Sequence, residues 1–217
     1  MGVGHATCSV SPALIVIAKA PVPGRVKTRL TPPCTPEQAA RLAAAALRDT
    51  LAAALRTRRP GRRVLVLDGA PGDWVPRGFT VLPQRGDGLA ARLAAAFDDA
   101  GGPAFLVGMD TPQITPALLD AGLAAVERGD AALGVAPDGG YWGIGLRRPD
   151  PDAFAGVPMS AANTAAVQAG RLAALDLHTA MLPPLRDVDT IADARAVAAA
   201  APGTRFAAAL AAVEAAA

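Results

Sequence analysis

The chain has 217 residues, of which 52% are hydrophobic. This hydrophobic content is enough for a folded core and argues against global disorder. A formal net charge of +2 does not indicate the concentrated basic face of a nucleic-acid-binding protein, so we expect no nucleic-acid partner. Two cysteines cannot form a disulfide framework and no apolar run is long enough to span a bilayer, so we expect a cytoplasmic protein without a membrane partner.

Apolar runs alternate with alanine-rich stretches along the chain. The first run, 14–18, is continuously apolar, which is typical of a strand buried on both faces. Thr35 and Pro36 resemble the N-cap and first-turn proline of a long helix that ends near Arg58. Further strands are predicted at 64–67, 79–82, 104–107, 131–135 and 141–146, with an extended segment at 175–182. Further helices are predicted at 89–100, from 115 onward, and at 160–173, 190–201 and 204–216, with Ser160 as a helix cap.

This alternation predicts an α/β fold, in which helices flank a mostly parallel central sheet. We expect a flexible N-terminus over residues 1–11 and one domain over residues 12–217. Ligands of such sheets bind outside the carboxyl ends of the strands. Polar segments that follow strands or extended runs are therefore expected to share one site, namely 19–29, 108–112, 138–143 and 187–193.

The segment 19–29 has the composition of a phosphate-binding loop. The only two lysines of the chain, Lys19 and Lys27, lie in it, although 21 residues of the chain are basic. This indicates a need for compact ammonium groups, since arginine provides the charge elsewhere. Prolines restrict the loop, Gly24 permits a tight turn, and four cations would suit a phosphate chain. The spacing of Gly24 and Lys27 does not match a Walker A loop, and the alternative is a solvated basic loop that binds nothing.

Three aspartates are candidate metal ligands. Asp110 directly follows a buried strand, where a carboxylate is costly unless it is hydrogen-bonded or binds a cation. Asp187 and Asp189 alternate along an extended segment and so share a face, where they could hold the same cation as Asp110. Mg²⁺ or Mn²⁺ is held by one or two carboxylates plus phosphate oxygens. The alternatives are helix-capping roles, for Asp110 and for Asp189 or Thr190 before the helix that follows them.

The segment 138–145 is a candidate acceptor site. Gly139 and Gly140 would let the backbone approach a ligand closely. Tyr141 is the only tyrosine and Trp142 is one of two tryptophans, and together they could form a platform for a sugar or another acceptor. The alternative is a bulged hairpin packed with aromatic side chains. His178 is expected to be structural.

Four motifs, in this order, resemble the radical-SAM/selenodomain-associated transferase family. They are Lys19-x-Pro21-x-Pro23-Gly24-x-Val26-Lys27-Thr28-Arg29-Leu30, Gly108-x-Asp110-x-Pro112, Asp138-Gly139-Gly140-Tyr141 and Asp187-Val188-Asp189-Thr190. The resemblance implies a Rossmann-like GT-A, or nucleotide-diphospho-sugar transferase, fold that uses Mg²⁺ or Mn²⁺, a nucleotide-activated donor and a small-molecule acceptor. Carried over residue by residue, it implies a nucleotide-binding loop at 19–30, metal binding by Asp110 and Asp189, and an acceptor side at 138–141. Together with the reasoning from the residues, we expect nucleotide binding by Lys19, Pro23, Gly24, Arg25, Lys27, Thr28, Arg29 and Gln84, and metal binding by Asp187 as well. We also expect catalytic roles for Lys27, Arg29 and Asp138, and acceptor binding by Gly139, Gly140, Tyr141 and Trp142.

The match to the family pattern is incomplete in two places. The segment 84–89, which begins with Gln84, follows the family's usual Gln–Gly–Asp–Leu–Gly segment only loosely, and Met159-Ser160 replaces the usual Trp-Ser. The single aspartate at Asp110 and the Lys-Thr-Arg-Leu sequence at 27–30 also resemble the guanylyltransferases of phospholactate and molybdenum-cofactor synthesis. Glycosyl transfer is therefore the first hypothesis, nucleotidyl transfer the second, and a nucleotide-binding module without catalysis the third. The sequence predicts no particular oligomeric state.

Overall fold

The computed structural model describes residues 11–58 and 60–216, and a seven-stranded sheet forms the centre of this part of the chain. The flexible N-terminus expected over residues 1–11 therefore lies outside the described residues, apart from Ser11. The strands are β1 (Ala13–Lys19), β2 (Arg63–Asp68), β3 (Thr80–Pro83), β4 (Ala104–Val107), β5 (Ala131–Val135), β6 (Tyr141–Leu146) and β7 (Thr179–Leu182).

Helices cover both faces of this sheet. They are α1 (Pro36–Leu55), α2 (Gly88–Ala100), α3 (Pro116–Arg128), α4 (Thr164–Ala174), α5 (Ile191–Ala200) and α6 (Arg205–Glu214), with short 3-10 turns at Thr28–Leu30 and Pro151–Phe154. None of the helices in the described part of the chain is long and apolar enough to cross a lipid bilayer.

The strand order is β3-β2-β1-β4-β6-β5-β7, and only β6 runs antiparallel to its neighbours. The predicted α/β fold with a mostly parallel central sheet is thus confirmed. β1 and β4 are parallel neighbours, with Val16 opposite Val107. The segments that follow these two strands therefore leave the sheet at the same edge, which is where ligands bind in open α/β sheets.

The continuous apolar run of β1 is explained by burial on both faces of the sheet. Leu14 and Val16 pack with the helices α1 and α3, whereas Ala13 and Ile15 pack with α2 on the opposite face. Successive side chains of a strand point to opposite faces, so a strand covered on both sides needs an apolar residue at every position.

Two consecutive arginines cover the carboxyl ends of two helices. The Arg63 guanidinium donates to the Ala54 carbonyl at 2.7 Å at the end of α1, and Arg62 donates to the Asp99 carbonyl at 3.0 Å and to the Ala100 carbonyl at the end of α2. The last carbonyls of a helix have no partner within it, so these side chains satisfy them. The two arginines are therefore structural.

The start of α4 differs from the prediction. The expected helix began at Ser160, but Ser160 has a left-handed backbone (φ 62°) and α4 begins at Thr164. The Thr164 hydroxyl donates to the Pro158 carbonyl at 2.7 Å, which holds the intervening segment in a non-helical turn. The expectation that Ser160 caps a helix is therefore wrong.

Candidate functional site

A cleft of about 930 Å³ lies at the carboxyl ends of β1 and β4. All four polar segments that were expected to share a site contribute to its walls, together with the start of α2 and the segment before α4. The predicted site residues that line it are Lys19, Arg25, Lys27, Thr28, Arg29, Gln84, Asp110, Asp138, Gly140, Tyr141, Trp142, Asp187 and Asp189.

Lys27 joins the basic loop to the carboxylates. Its Nζ lies 2.7 Å from Asp110 Oδ1 and also donates to the Val188 carbonyl, and only 7% of the side chain is exposed. The Lys27 backbone is left-handed (φ 49°, ψ 38°), a conformation that costs a residue with a Cβ about 1 kcal/mol or more. The structure thus brings together a cation and a carboxylate that are 83 residues apart in the sequence.

A second ion pair joins the basic loop to the acidic segment 187–193. Arg29 Nη1 lies 2.9 Å from Asp189 Oδ2, with 67% and 37% of the two side chains exposed. Such an exposed pair contributes roughly 0–1 kcal/mol, so it orients the groups more than it stabilises the fold. The Val188 N–H between the two acidic residues donates to the Asp110 carbonyl at 2.9 Å, which fixes the acidic segment against the end of β4.

Asp187 is the most perturbed carboxyl of the site. One of its oxygens, Oδ1, is buried and has no hydrogen-bond partner. Burial, which is the largest cause, and the nearby charges of Asp110 and Asp138 together raise the pKa of Asp187 to about 7, while Lys27 opposes the shift. A buried carboxylate without a donor is unfavourable, so Asp187 holds either a proton or a cation at neutral pH.

The carboxylates fit a divalent cation that is completed by a ligand. Within residues 11–58 and 60–216, no three carboxylate, imidazole or thiol groups are arranged to hold a metal by themselves. Mg²⁺ and Mn²⁺ do not need such a cage, because one or two carboxylates and the phosphates of a substrate suffice. The buried, unpartnered oxygen of Asp187 near Asp110 is the observation that fits such a site, and Asp189 lies beside them.

The remaining cations of the basic loop face the solvent. Lys19 and Arg25 are exposed, and in the part of the chain that the structure describes neither side chain forms an ion pair. Gly24 has a positive φ of 75° and Arg25 N–H donates to the Val22 carbonyl at 3.1 Å, so the loop turns tightly at this point. Pro23 and Thr28 are also exposed.

Gln84 is held at the cleft by three partners. Its Nε2 donates to the Ala18 carbonyl at 2.7 Å and to the Val66 carbonyl at 3.4 Å, and its Oε1 accepts from Arg92 Nη1 at 3.1 Å. Arg92 also pairs with Asp68 at 3.1 Å and lines the cleft, although sequence reasoning did not select it. The available signal was a single charged side chain in the apolar, alanine-rich first half of α2.

The segment 138–141 is built on close backbone contacts. Gly139 has a φ of 89°, and a Cβ at this position would lie 1.8 Å from the Ala162 carbonyl oxygen, so only glycine fits. The Gly140 N–H donates to Asp138 Oδ1 at 2.9 Å. Asp138 is exposed and lines the cleft.

The two aromatic residues of this segment have different roles. The Tyr141 hydroxyl lies 3.4 Å from Gln168 Oε1 near the cleft, and burial raises the pKa of Tyr141 above its ordinary value. Trp142 is only 2% exposed, packs edge-on against Phe105 and donates from Nε1 to the Pro183 carbonyl at 3.1 Å. The expectation that the Trp142 ring offers an open platform is therefore wrong, because the ring fills the core.

Among solved structures, the chain resembles a candidate nucleotide-diphospho-sugar transferase from Desulfovibrio desulfuricans G20. The two sequences are 27% identical, the match covers 94% of this chain and 95% of that one, and the TM-score is 0.82. The Rossmann-like nucleotide-diphospho-sugar transferase fold is thereby confirmed.

More distant structures share the fold alone. One is 2-C-methyl-D-erythritol 4-phosphate cytidylyltransferase from Thermus thermophilus, at 18% identity and a TM-score of 0.54 over 88% of this chain and 98% of that one. Another is Rv0371c from Mycobacterium tuberculosis H37Rv in complex with manganese, at 19% identity and a TM-score of 0.50 over 86% of this chain and 98% of that one.

A search of curated proteins gives no match. The model of a family of uncharacterized proteins conserved in bacteria, DUF2064, matches residues 40–161. This match spans more than half of the chain, and the protein therefore belongs to the DUF2064 family.

Proposed function

We propose that the protein is a metal-dependent transferase that moves a glycosyl group from a nucleotide-diphosphate sugar to a small-molecule acceptor. The observation that carries this proposal is the contact between Lys27 and Asp110, which places the basic loop and the acidic segments around one cleft. A nucleotide diphosphate and a divalent cation are the ligands that such a mixture of cations and carboxylates binds. We also propose that residues 12–217 act as one domain.

The similar structures support a nucleotide-activated donor. The Desulfovibrio protein is described as a candidate nucleotide-diphospho-sugar transferase, and it matches nearly the whole chain. The motif resemblance to the radical-SAM/selenodomain-associated transferases points to the same donor class. The manganese bound to Rv0371c supports a divalent metal in this fold.

The residues divide the reaction between donor and acceptor. Lys19 and Arg25, which are exposed, bind the diphosphate, and Lys27 and Arg29 stabilise the negative charge that grows on it as it departs. Asp110 and Asp187, with Asp189 beside them, would hold the metal, which adds Lewis-acid stabilisation of the same charge when bound. The side chain of Tyr141 and the backbone of Gly139 and Gly140 position the acceptor.

In the chemical step, the bond between the sugar carbon and the diphosphate oxygen breaks while the acceptor oxygen bonds to that carbon. Asp138 accepts the proton of the acceptor hydroxyl, since its carboxyl is exposed at the cleft. The nucleoside diphosphate then leaves with the electron pair of the broken bond.

Nucleotidyl transfer is the second candidate. The observation in its favour is the single aspartate at the end of β4, together with the fold shared with a cytidylyltransferase. In this reaction an acceptor oxygen attacks the α-phosphorus of a nucleoside triphosphate and pyrophosphate leaves. The basic loop would then bind pyrophosphate instead of the diphosphate of a sugar donor.

A donor screen separates these reactions. Thermal shifts should be measured with Mn²⁺ and a panel of nucleotide-diphosphate sugars and nucleoside triphosphates, since a ligand of the folded state stabilises it by mass action. Glycosyl transfer predicts larger shifts with the sugars, and release of nucleoside diphosphate with acceptors. A preference for triphosphates with release of pyrophosphate would replace it by nucleotidyl transfer, and binding without any product would indicate a non-catalytic module.

A further inference from the structure

The Lys27 ammonium is already bound by the group that a metal would use. Its Nζ contacts Asp110 Oδ1 at 2.7 Å and donates to the Val188 carbonyl, and the side chain is 7% exposed. In this position two of the three N–H donors of the ammonium are used and solvent reaches little of the side chain, so the group offers little open contact to a phosphate. The structure therefore holds the Lys27 ammonium against the carboxylates.

The surrounding charges make Lys27 a neutralising cation of the whole acidic group. Lys27 contacts Asp110 directly and donates to the carbonyl of Val188, the residue between Asp187 and Asp189, so its charge lies among these acidic residues. Arg29 contributes at the periphery through Asp189. A carboxylate cluster of this kind requires a cation, and the chain provides one of its own.

A divalent ion at Asp110 would compete with this ammonium. Both cations would bind the Asp110 carboxylate, and two cations at contact distance of one carboxylate repel each other strongly in a partly buried site. The metal would therefore weaken the Lys27–Asp110 contact, and the contact would weaken metal binding.

We propose, building on the proposed function, that Lys27 is a resident cation of Asp110 that a divalent metal displaces. The released ammonium then becomes available to the diphosphate that arrives with the metal. Lys27 thus acts twice, first by neutralising the acidic group when no metal is bound and then by binding the donor. The exchange makes metal binding weak without nucleotide and couples the two ligands.

The chain offers a matched control for this exchange. Lys19 is the only other lysine, lies in the same loop and lines the same cleft, but it is exposed and forms no ion pair among the described residues. Lys27→Met and Lys19→Met therefore remove the same charge from the same loop, and only the first removes the contact with Asp110.

The first experiment measures Mn²⁺ binding by electron paramagnetic resonance without nucleotide. Lys27→Met is expected to bind Mn²⁺ at least about ten times more tightly than wild type, because the metal no longer displaces an ammonium, whereas Lys19→Met should change the affinity less than about threefold. Equal affinities for Lys27→Met and wild type, or equal gains in the two variants, would overturn the exchange.

The second experiment uses wild-type protein alone and so does not depend on how Lys27→Met folds. Amine labelling followed by mass spectrometry reads the two lysines separately. Lys27 should be protected from labelling without metal and should be labelled several times faster with saturating Mn²⁺. Lys19 should be labelled at the same rate with and without Mn²⁺. Unchanged protection of Lys27 with Mn²⁺ bound would refute the exchange but leave the metal site standing. A complete lack of Mn²⁺ binding, with or without nucleotide, would refute the proposed metal-dependent function as well.

Discussion

Replacing Asp187 by asparagine should stabilise the metal-free protein, and more so at alkaline than at acid pH. The carboxyl has a buried oxygen without a hydrogen-bond partner, and its pKa is raised from 3.8 to about 7, first by burial and then by Asp110 and Asp138. Asparagine keeps the shape of the side chain and removes the charge. The site thus carries a stability cost that a ligand-binding role would explain.

The magnitude follows from the shift in pKa. The folded protein holds this proton more tightly than the unfolded chain, so stability falls as the pH rises from about 4 to 7 and the full penalty applies above pH 7. A shift from 3.8 to about 7 corresponds to a penalty on the order of 4 kcal/mol at pH 8 and on the order of 2 kcal/mol at pH 5. For a domain of this size the stabilisation at pH 8 would raise Tm by roughly 8 to 16 °C.

Urea unfolding at pH 5 and pH 8 without divalent metal measures this difference. Asp189→Asn is the matched control, because Asp189 lies two residues away but forms an exposed ion pair with Arg29. This control should change the free energy of unfolding by less than about 1 kcal/mol at both values of pH. An Asp187→Asn protein that is no more stable than wild type at pH 8, or that shows the same gain at pH 5, would refute the reasoning.

Three further substitutions test other parts of the structure. The Asp49 side chain is 8% exposed and accepts a hydrogen bond from the Phe206 N–H at 2.8 Å. Asp49→Ala should therefore lower the free energy of unfolding, measured by urea titration, by about 3 kcal/mol, and a loss under about 1 kcal/mol would contradict this. Gly139→Ala should cost about 3 kcal/mol and weaken acceptor binding measured by calorimetry, because its Cβ would meet the Ala162 carbonyl oxygen at 1.8 Å. Gly170→Ala in α4 meets nothing within 4 Å and should raise stability by about 0.5 to 1 kcal/mol, and tolerance at Gly139 with a loss at Gly170 would contradict the packing of both segments.

The general position of the site could be predicted from the sequence because it follows from strand order along the chain. A buried apolar run followed by a polar segment indicates a strand that ends at the binding edge, as it does for β1 before Lys19 and for β4 before Asp110. The sequence predicted that Lys27 and Asp110 lie at the same edge of the sheet, and the structure shows in addition that their side chains form an ion pair.

The errors concern contacts that depend on pairing between distant segments. Trp142 occupies space that Gly134 leaves free on the neighbouring strand, since a Cβ on Gly134 would lie 2.3 Å from the ring. The sequence around Trp142 does not reveal that neighbour before the register of β5 and β6 is known. Arg92 was missed for a similar reason, because its partner Asp68 lies 24 residues earlier at the end of another strand.

Nucleotide binding with and without metal tests the central claim most directly. Calorimetric titration of wild type with nucleoside diphosphates should give an affinity at least about ten times higher with Mn²⁺ than without, and Asp110→Asn should lose this gain while it remains folded. An affinity that is the same with and without Mn²⁺, or a full metal-dependent gain in Asp110→Asn, would contradict a site in which cations and carboxylates meet around one phosphate-bearing ligand.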